Sequence, residues 1–143
     1  MLRVEVMDPS QARRAAELHA LGQPDTFLTR LGLRFLEELY REMASSPWGF
    51  GLAVMEGDQM VGVAAVTADN RRLFRDFALH RSWRVVFPVL RQVVRDLGLI
   101  AGVAETLFYP RRLTVEEGEA EWLFVGVDPA ARRGGAHSVT SAR

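Results

Sequence analysis

Trp122-Leu123-Phe124-Val125-Gly126-Val127-Asp128-Pro129-Ala130-Ala131-Arg132-Arg133-Gly134-Gly135 is the stretch whose reading decides the fold. Its first half is an apolar run bounded by Asp128-Pro129, the pattern of a buried strand ending in a turn. Its second half is a short Arg/Gly loop. Such a loop sets flexible backbone N–H groups and two guanidinium groups at one end of the strand. Unpaired amides and arginine both favour bound anions, so the junction suits a phosphorylated ligand.

Upstream, Glu116-Glu117-Gly118-Glu119 reads as an acidic turn before a strand over Glu121–Val127. Phe50–Met55 and Met60–Val66 are two further strands, and Gly57-Asp58 between them is a hairpin signal. Met60–Val66 is nearly all apolar, which suggests a central strand buried on both faces. Leu2–Val6 alternates apolar and polar residues and reads as a first strand. Asp8-Pro9-Ser10 opens a helix over Gln11–Leu21 that ends at Gly22, with Asp8 or Ser10 as cap and Pro9 in the first turn. Gln23-Pro24-Asp25-Thr26 caps a second helix with one apolar stripe, Leu28, Leu31, Phe35, Leu39 and Met43. Arg34, Glu37, Glu38, Arg41 and Glu42 fill the rest of its surface, and Ser45-Ser46-Pro47 closes it.

Residues 70–118 are the least regular. Arg71–Leu79 and Trp83–Leu97 have helical spacing. Pro88 should start or kink a helix, and Gly98 should end it. Leu107-Phe108-Tyr109-Pro110 and Arg112–Val115 read as short extended pieces. The order β-α-α-β-β-helical insert-β-loop gives an α+β (mixed α/β) class with antiparallel pairing at the hairpin.

Composition narrows the function classes. The chain has 143 residues and zero formal net charge. That length suits one domain with a real core. Neutrality removes the simplest case for nucleic-acid or anionic-membrane binding, although a local patch can still exist. Cysteine is absent, which excludes disulfides, thiolate nucleophiles and Cys-based metal sites. His19, His80 and His137 are far apart in sequence, so no zinc site is expected. The N-terminus carries charge within its first apolar segment and is not a signal peptide. No apolar run approaches membrane-spanning length, and a cytoplasmic location is the expectation. Every basic residue is arginine, which lowers the weight of any one Arg as a marker of function.

Taken with their order along the chain, these residues resemble the GNAT superfamily of acyl-CoA-dependent N-acyltransferases. The signature of that family follows a central strand and reads Arg/Gln-x-x-Gly-x-Gly/Ala. Arg132-Arg133-Gly134-Gly135-Ala136 matches its first five positions. Phe124-Val-Gly-Val-Asp-Pro129 is similar to the family's fourth strand and its exit. The hairpin Leu52–Val63 and the helix Phe27-Leu-x-x-Leu-Gly-x-x-Phe-Leu-x-x-Leu-Tyr40 also resemble it. The resemblance implies a mostly antiparallel central sheet flanked by helices. It implies acetyl-CoA as cosubstrate and a primary amine on some acceptor as its partner in acyl transfer. Val125 and Val127 would offer backbone contacts to pantetheine. Arg132, Arg133, Gly134, Gly135 and Ala136 would cradle the diphosphate, with glycine permitting close approach. Glu121, and less well Glu119, would act through water as the general base that deprotonates the acceptor ammonium.

The sixth motif position is His137, where the family has Gly or Ala, and Ser138–Arg143 is small and polar. The expectation is therefore a single partial domain over 1–143, truncated or frameshifted after the cofactor loop, with the family's tyrosine acid beyond it. A different class of function stays open beside this one: a non-catalytic CoA-binding or protein-interaction module, with a homodimer as its expected state. An unrelated mixed α/β binding domain is a third.

Other residues have plainer readings. Arg71, Arg72, Arg75, Arg81, Arg84, Arg91 and Arg95 could meet an anionic acceptor or nucleic acid, but helical spacing favours a solvated face. Trp48, Phe74, Trp83 and Trp122 could line an acceptor pocket, but packing is the commoner fate of aromatics. His19 is expected on a helix surface, and His80 has no evident neighbour to orient it as a base.

Overall fold

The computed structural model describes residues 1–102 and 121–132; side chains are described for 124–131 of the second segment. The elements are β1 (Leu2–Val6), a 3-10 turn (Pro9–Gln11), α1 (Ala12–Gly22), α2 (Phe27–Arg30), α3 (Leu33–Ser45), β2 (Gly49–Glu56), β3 (Gln59–Thr67), α4 (Asn70–Arg95), β4 (Glu121–Val127) and the short α5 (Pro129–Arg132). The sheet runs β1-β2-β3-β4, each neighbour antiparallel. This is the α+β class expected, a four-stranded antiparallel sheet flanked by helices. The extended pieces expected at 107–115 and the acidic turn at 116–119 lie outside the described residues.

Local signals explain most boundaries. Asp8 caps its turn through Ser10 N–H, while Gln11 Oε1 accepts the Asp8 N–H in return. That reciprocal pair satisfies two donors that a helix start would otherwise strand. The Gly57-Asp58 turn joins β2 to β3, as the hairpin signal required. β3 is central and buried along almost its whole length.

Two helical expectations need correction. The stripe from Leu28 to Met43 is not one helix. Gly32, at φ 105°, divides α2 from α3, in a backbone region that disfavours side chains with a Cβ. Conversely, the two segments expected between 71 and 97 are one helix. Pro88 lies inside α4, which runs on to Arg95 and ends at Asp96 rather than Gly98. Proline removes the donor for the carbonyl four residues earlier, that of Arg84. Arg84 is exposed, so water can take that bond.

The core has two parts, one on each side of α3. Leu36, Tyr40 and Met43 meet α1 and the inner sheet face, built by Ala53, Met55, Val63, Ala65 and Phe124. Phe35 and Leu39 face away from the sheet, against Phe77 and Val85 of α4. On the other sheet face, Val6, Leu52, Ala64 and Val125 form one row, and Val4, Val54, Gly62 and Val127 the next. Val4, Val6 and Val125 are exposed there.

No helix among the described residues is long and apolar enough to cross a membrane.

Candidate active site

The junction from β4 to α5 is fixed by hydrogen bonds around Asp128. Its N–H donates to the Val61 carbonyl at 2.7 Å, the last bond between β3 and the outgoing chain. Its Oδ1 accepts from Ala130 N–H at 2.9 Å, and its carbonyl from Ala131 N–H, so Asp128 caps α5. Its Oδ2 accepts from Arg14 Nη2 at 2.7 Å. Arg14 Nε also donates to the Met60 carbonyl at 3.1 Å. One guanidinium on α1 therefore ties β3 to the end of β4.

That geometry sets which way the backbone of β4 faces. Successive strand residues turn their N–H and C=O to opposite edges. Asp128 N–H points to β3, so Val127 and Val125 turn theirs to the other edge. Val127 pairs across from Gly62, and Val125 from Ala64. Among the described residues no strand pairs with that outer edge. The β3–β4 register also shifts between Ala65 and Val66, where Phe124 and Trp122 are the partners and Leu123 is the extra residue. A bulge of this kind bends a strand and re-aims its side chains.

Behind β4 sits a buried polar pair. His19, expected on a surface, is 4% exposed. Its ring stacks on Phe124 with centroids 4.1 Å apart, and its Nδ1 lies 2.9 Å from the Tyr40 hydroxyl. Burial holds the imidazole pKa down at about 4 and pushes the Tyr40 phenol up. His19 is thus neutral at neutral pH, and its Nε2 has no hydrogen-bond partner among the described residues. Alanines at 12, 15 and 16 bring α1 close to the sheet, which is why a histidine one turn on is drawn inside. Gly126 completes the arrangement. A Cβ there would overlap the Phe124 ring, so Gly126 lets that ring lie flat over its own strand.

A second polar cluster joins α3 to α4. Glu38 and Glu42, expected among the surface residues of the helix, are both 4% exposed. Arg81 donates to Glu38 and Glu42, each at 3.0 Å. Arg41 Nη1 donates to Glu38 at 2.8 Å, and His80 Nδ1 lies 3.0 Å from Glu42. His80 therefore does have a carboxylate that orients it, contrary to the sequence expectation. The i, i+4 spacing of Glu38 and Glu42 facing an arginine-rich segment was the available signal.

The sequence-chosen residues fall as follows. Val125 and Val127 lie on β4 with their amides at its outer edge. The Glu121 backbone lies on β4 across from Thr67, and the Arg132 backbone closes α5. The side chains of Glu121, Trp122 and Arg132 lie outside the described residues, as do Glu119, Arg133, Gly134, Gly135 and Ala136. Trp48 is half-buried against the inner core, with the Arg72 guanidinium 4.4 Å above its ring. Phe74 packs beside the α3–α4 cluster. Trp83 is 69% exposed on α4.

The chain matches no family model, no curated protein and no solved structure.

Proposed function

We propose that this chain is built for acyl transfer from acetyl-CoA to a primary amine, with β4 as the cofactor strand. The observation that carries the reading is the Asp128-to-Val61 hydrogen bond, because it directs the Val125 and Val127 amides to an edge with no strand partner among the described residues. A pantetheine arm carries amide groups of its own and pairs with such an edge as an added strand would. Arg132, Arg133, Gly134, Gly135 and Ala136 follow directly and supply guanidinium and amide donors for the diphosphate. The acceptor nitrogen attacks the thioester carbonyl, the carbon–sulfur bond breaks, and the coenzyme leaves as its thiolate, which takes up a proton. Strand amides at the carbonyl oxygen stabilise the charge that develops there. Glu121 takes the proton from the acceptor ammonium through water. A cytoplasmic location belongs to the same proposal, since acetyl-CoA is met there.

Calorimetric titration with acetyl-CoA tests it. One site should be filled, and Arg132→Ala/Arg133→Ala should weaken binding by roughly tenfold or more, as lost charge-assisted bonds do. No binding to the parent protein rejects the reading.

The exposed valines Val4, Val6 and Val125 on one sheet face favour a second reading, a CoA-binding or protein-interaction module that dimerises. Size-exclusion chromatography separates the two. A dimer with no acetyl transfer supports the module, and a monomer excludes the homodimer.

A further inference from the structure

α4 is apolar on two opposite sides, and the core uses only one. Phe77 and Val85 are buried against α3. On the far side Leu79, Trp83, Val86, Phe87, Leu90 and Val94 are each between 51% and 77% exposed. Their spacing of three and four puts them in one stripe, which at 1.5 Å per residue is about 22 Å long. A contiguous apolar stripe of this size on an exposed helix marks a contact surface.

Charge decides what it contacts. The arginines of α4 are opposed by one carboxylate of its own, Asp76, which pairs with Arg75. Arg81 and Arg84 are held by Glu38 from α3. Arg91 and Arg95 form no ion pair among the described residues. Arg91 follows Phe87 by four residues and so borders the stripe, and Arg95, one turn on from Arg91, continues the same flank away from it. Asp96, the nearest acid, is taken by Arg30. Two copies packed stripe to stripe about a two-fold axis would turn these cations toward the Arg75-Asp76 end of the other copy, where Asp76 is already held by Arg75, so a second copy of the chain is the poorer occupant. The zero net charge of the whole chain conceals this local excess.

We infer that the outer face of α4 docks on an anionic lipid surface, with its apolar stripe in the headgroup–acyl boundary and Arg91 and Arg95 at the phosphates. A Trp/Phe/Leu/Val stripe bordered by arginines, on a helix lying along the surface of the body, is the pattern of an interfacial helix. The stripe lies on the side of α4 away from α3. An acidic peptide would need a groove to hold it, whereas a bilayer needs only the stripe. Trp83, stacked with Arg84 at 4.8 Å, has the amphipathic character favoured at that boundary. The inference does not depend on acyl transfer.

Flotation of the full chain with phosphatidylglycerol/phosphatidylcholine vesicles and with pure phosphatidylcholine vesicles tests it. Binding should be strong only to the anionic vesicles and should fall with added salt. Arg91→Gln/Arg95→Gln should reduce it by roughly tenfold. Phe87→Ser/Leu90→Ser should abolish it, with the circular dichroism spectrum and melting temperature preserved because these side chains lie outside the core. No association with anionic vesicles overturns the inference. So does equal binding to neutral vesicles, or binding that neither double variant weakens. Poly-glutamate bound through Phe87 and Leu90 while vesicles are ignored would assign the face to an acidic protein and also overturn it.

Discussion

α3 and α4 are both amphipathic helices packed on one another, yet they spend their residues differently. α3 has 13 residues and buries Phe35, Leu36, Glu38, Leu39, Tyr40, Glu42 and Met43. α4 has 26 and buries only Asn70, Leu73, Phe77 and Val85. α3 is clamped between the sheet and α4, so even its carboxylates are enclosed and paired. α4 has one buried side and one apolar side in solvent. Apolar content alone therefore does not mark the core; what matters is whether a neighbour lies across from each face.

Substitutions can break or sharpen this contrast. The largest effect is expected at Leu36, which is fully buried between α1 and the sheet. Leu36→Ala should cost about 2–5 kcal/mol in urea unfolding, the range for a leucine cavity in a packed core. A loss no larger than that of a surface leucine would break the contrast at once.

The next effect is a pH dependence from the same interior. The folded pKa of His19 is about 4 against an ordinary 6.5. Below pH 6.5 the unfolded chain binds a proton that the folded chain refuses. Stability is therefore full above pH 6.5 and is lost as pH falls toward 4, by about 2–3 kcal/mol at pH 4.5 from this group. His19→Gln removes the titration and should flatten that part of the pH–stability profile. An unchanged slope would mean the imidazole is not enclosed.

At Gly126, a methyl group must displace the Phe124 ring, which is pinned by its stack on His19. Gly126→Ala should cost about 1–3 kcal/mol, the usual penalty of overpacking. The smallest effect belongs to the outer stripe. Leu90→Ala should change stability by no more than about 0.5 kcal/mol, as exposed positions do. A cost near that of Leu36 would place Leu90 in a core and remove the free face of α4.

Much of the fold was written in local signals. The Asp8 cap, the Gly57-Asp58 turn and the apolar run of β3 each fixed an element without tertiary help. Gly32 was visible inside the apolar stripe, but only the backbone angle there showed that it divides two helices. Pro88 read as the start or a kink of a helix, and α4 runs through it because Val85 before it and Val89 and Val93 after it pack against the α3 side, offsetting the roughly 3 kcal/mol an interior proline costs. The enclosure of His19, Glu38 and Glu42 was not readable, since it depends on partners 21 to 43 positions away. For the candidate site, the sequence marked β4 and Asp128-Pro129. It could not show that Arg14 would anchor that junction from 114 residues away.

The central claim is that the outer edge of β4 receives a thioester cofactor through the main chain of Val125 and Val127. Amide hydrogen exchange with and without saturating acetyl-CoA reads those two N–H groups directly. They should exchange readily in the free protein and become protected by roughly tenfold or more when the cofactor is present, while the Asp128 amide, already bonded to Val61, stays unchanged. Exchange at Val125 and Val127 that is slow from the start, or that acetyl-CoA leaves untouched, would contradict the account.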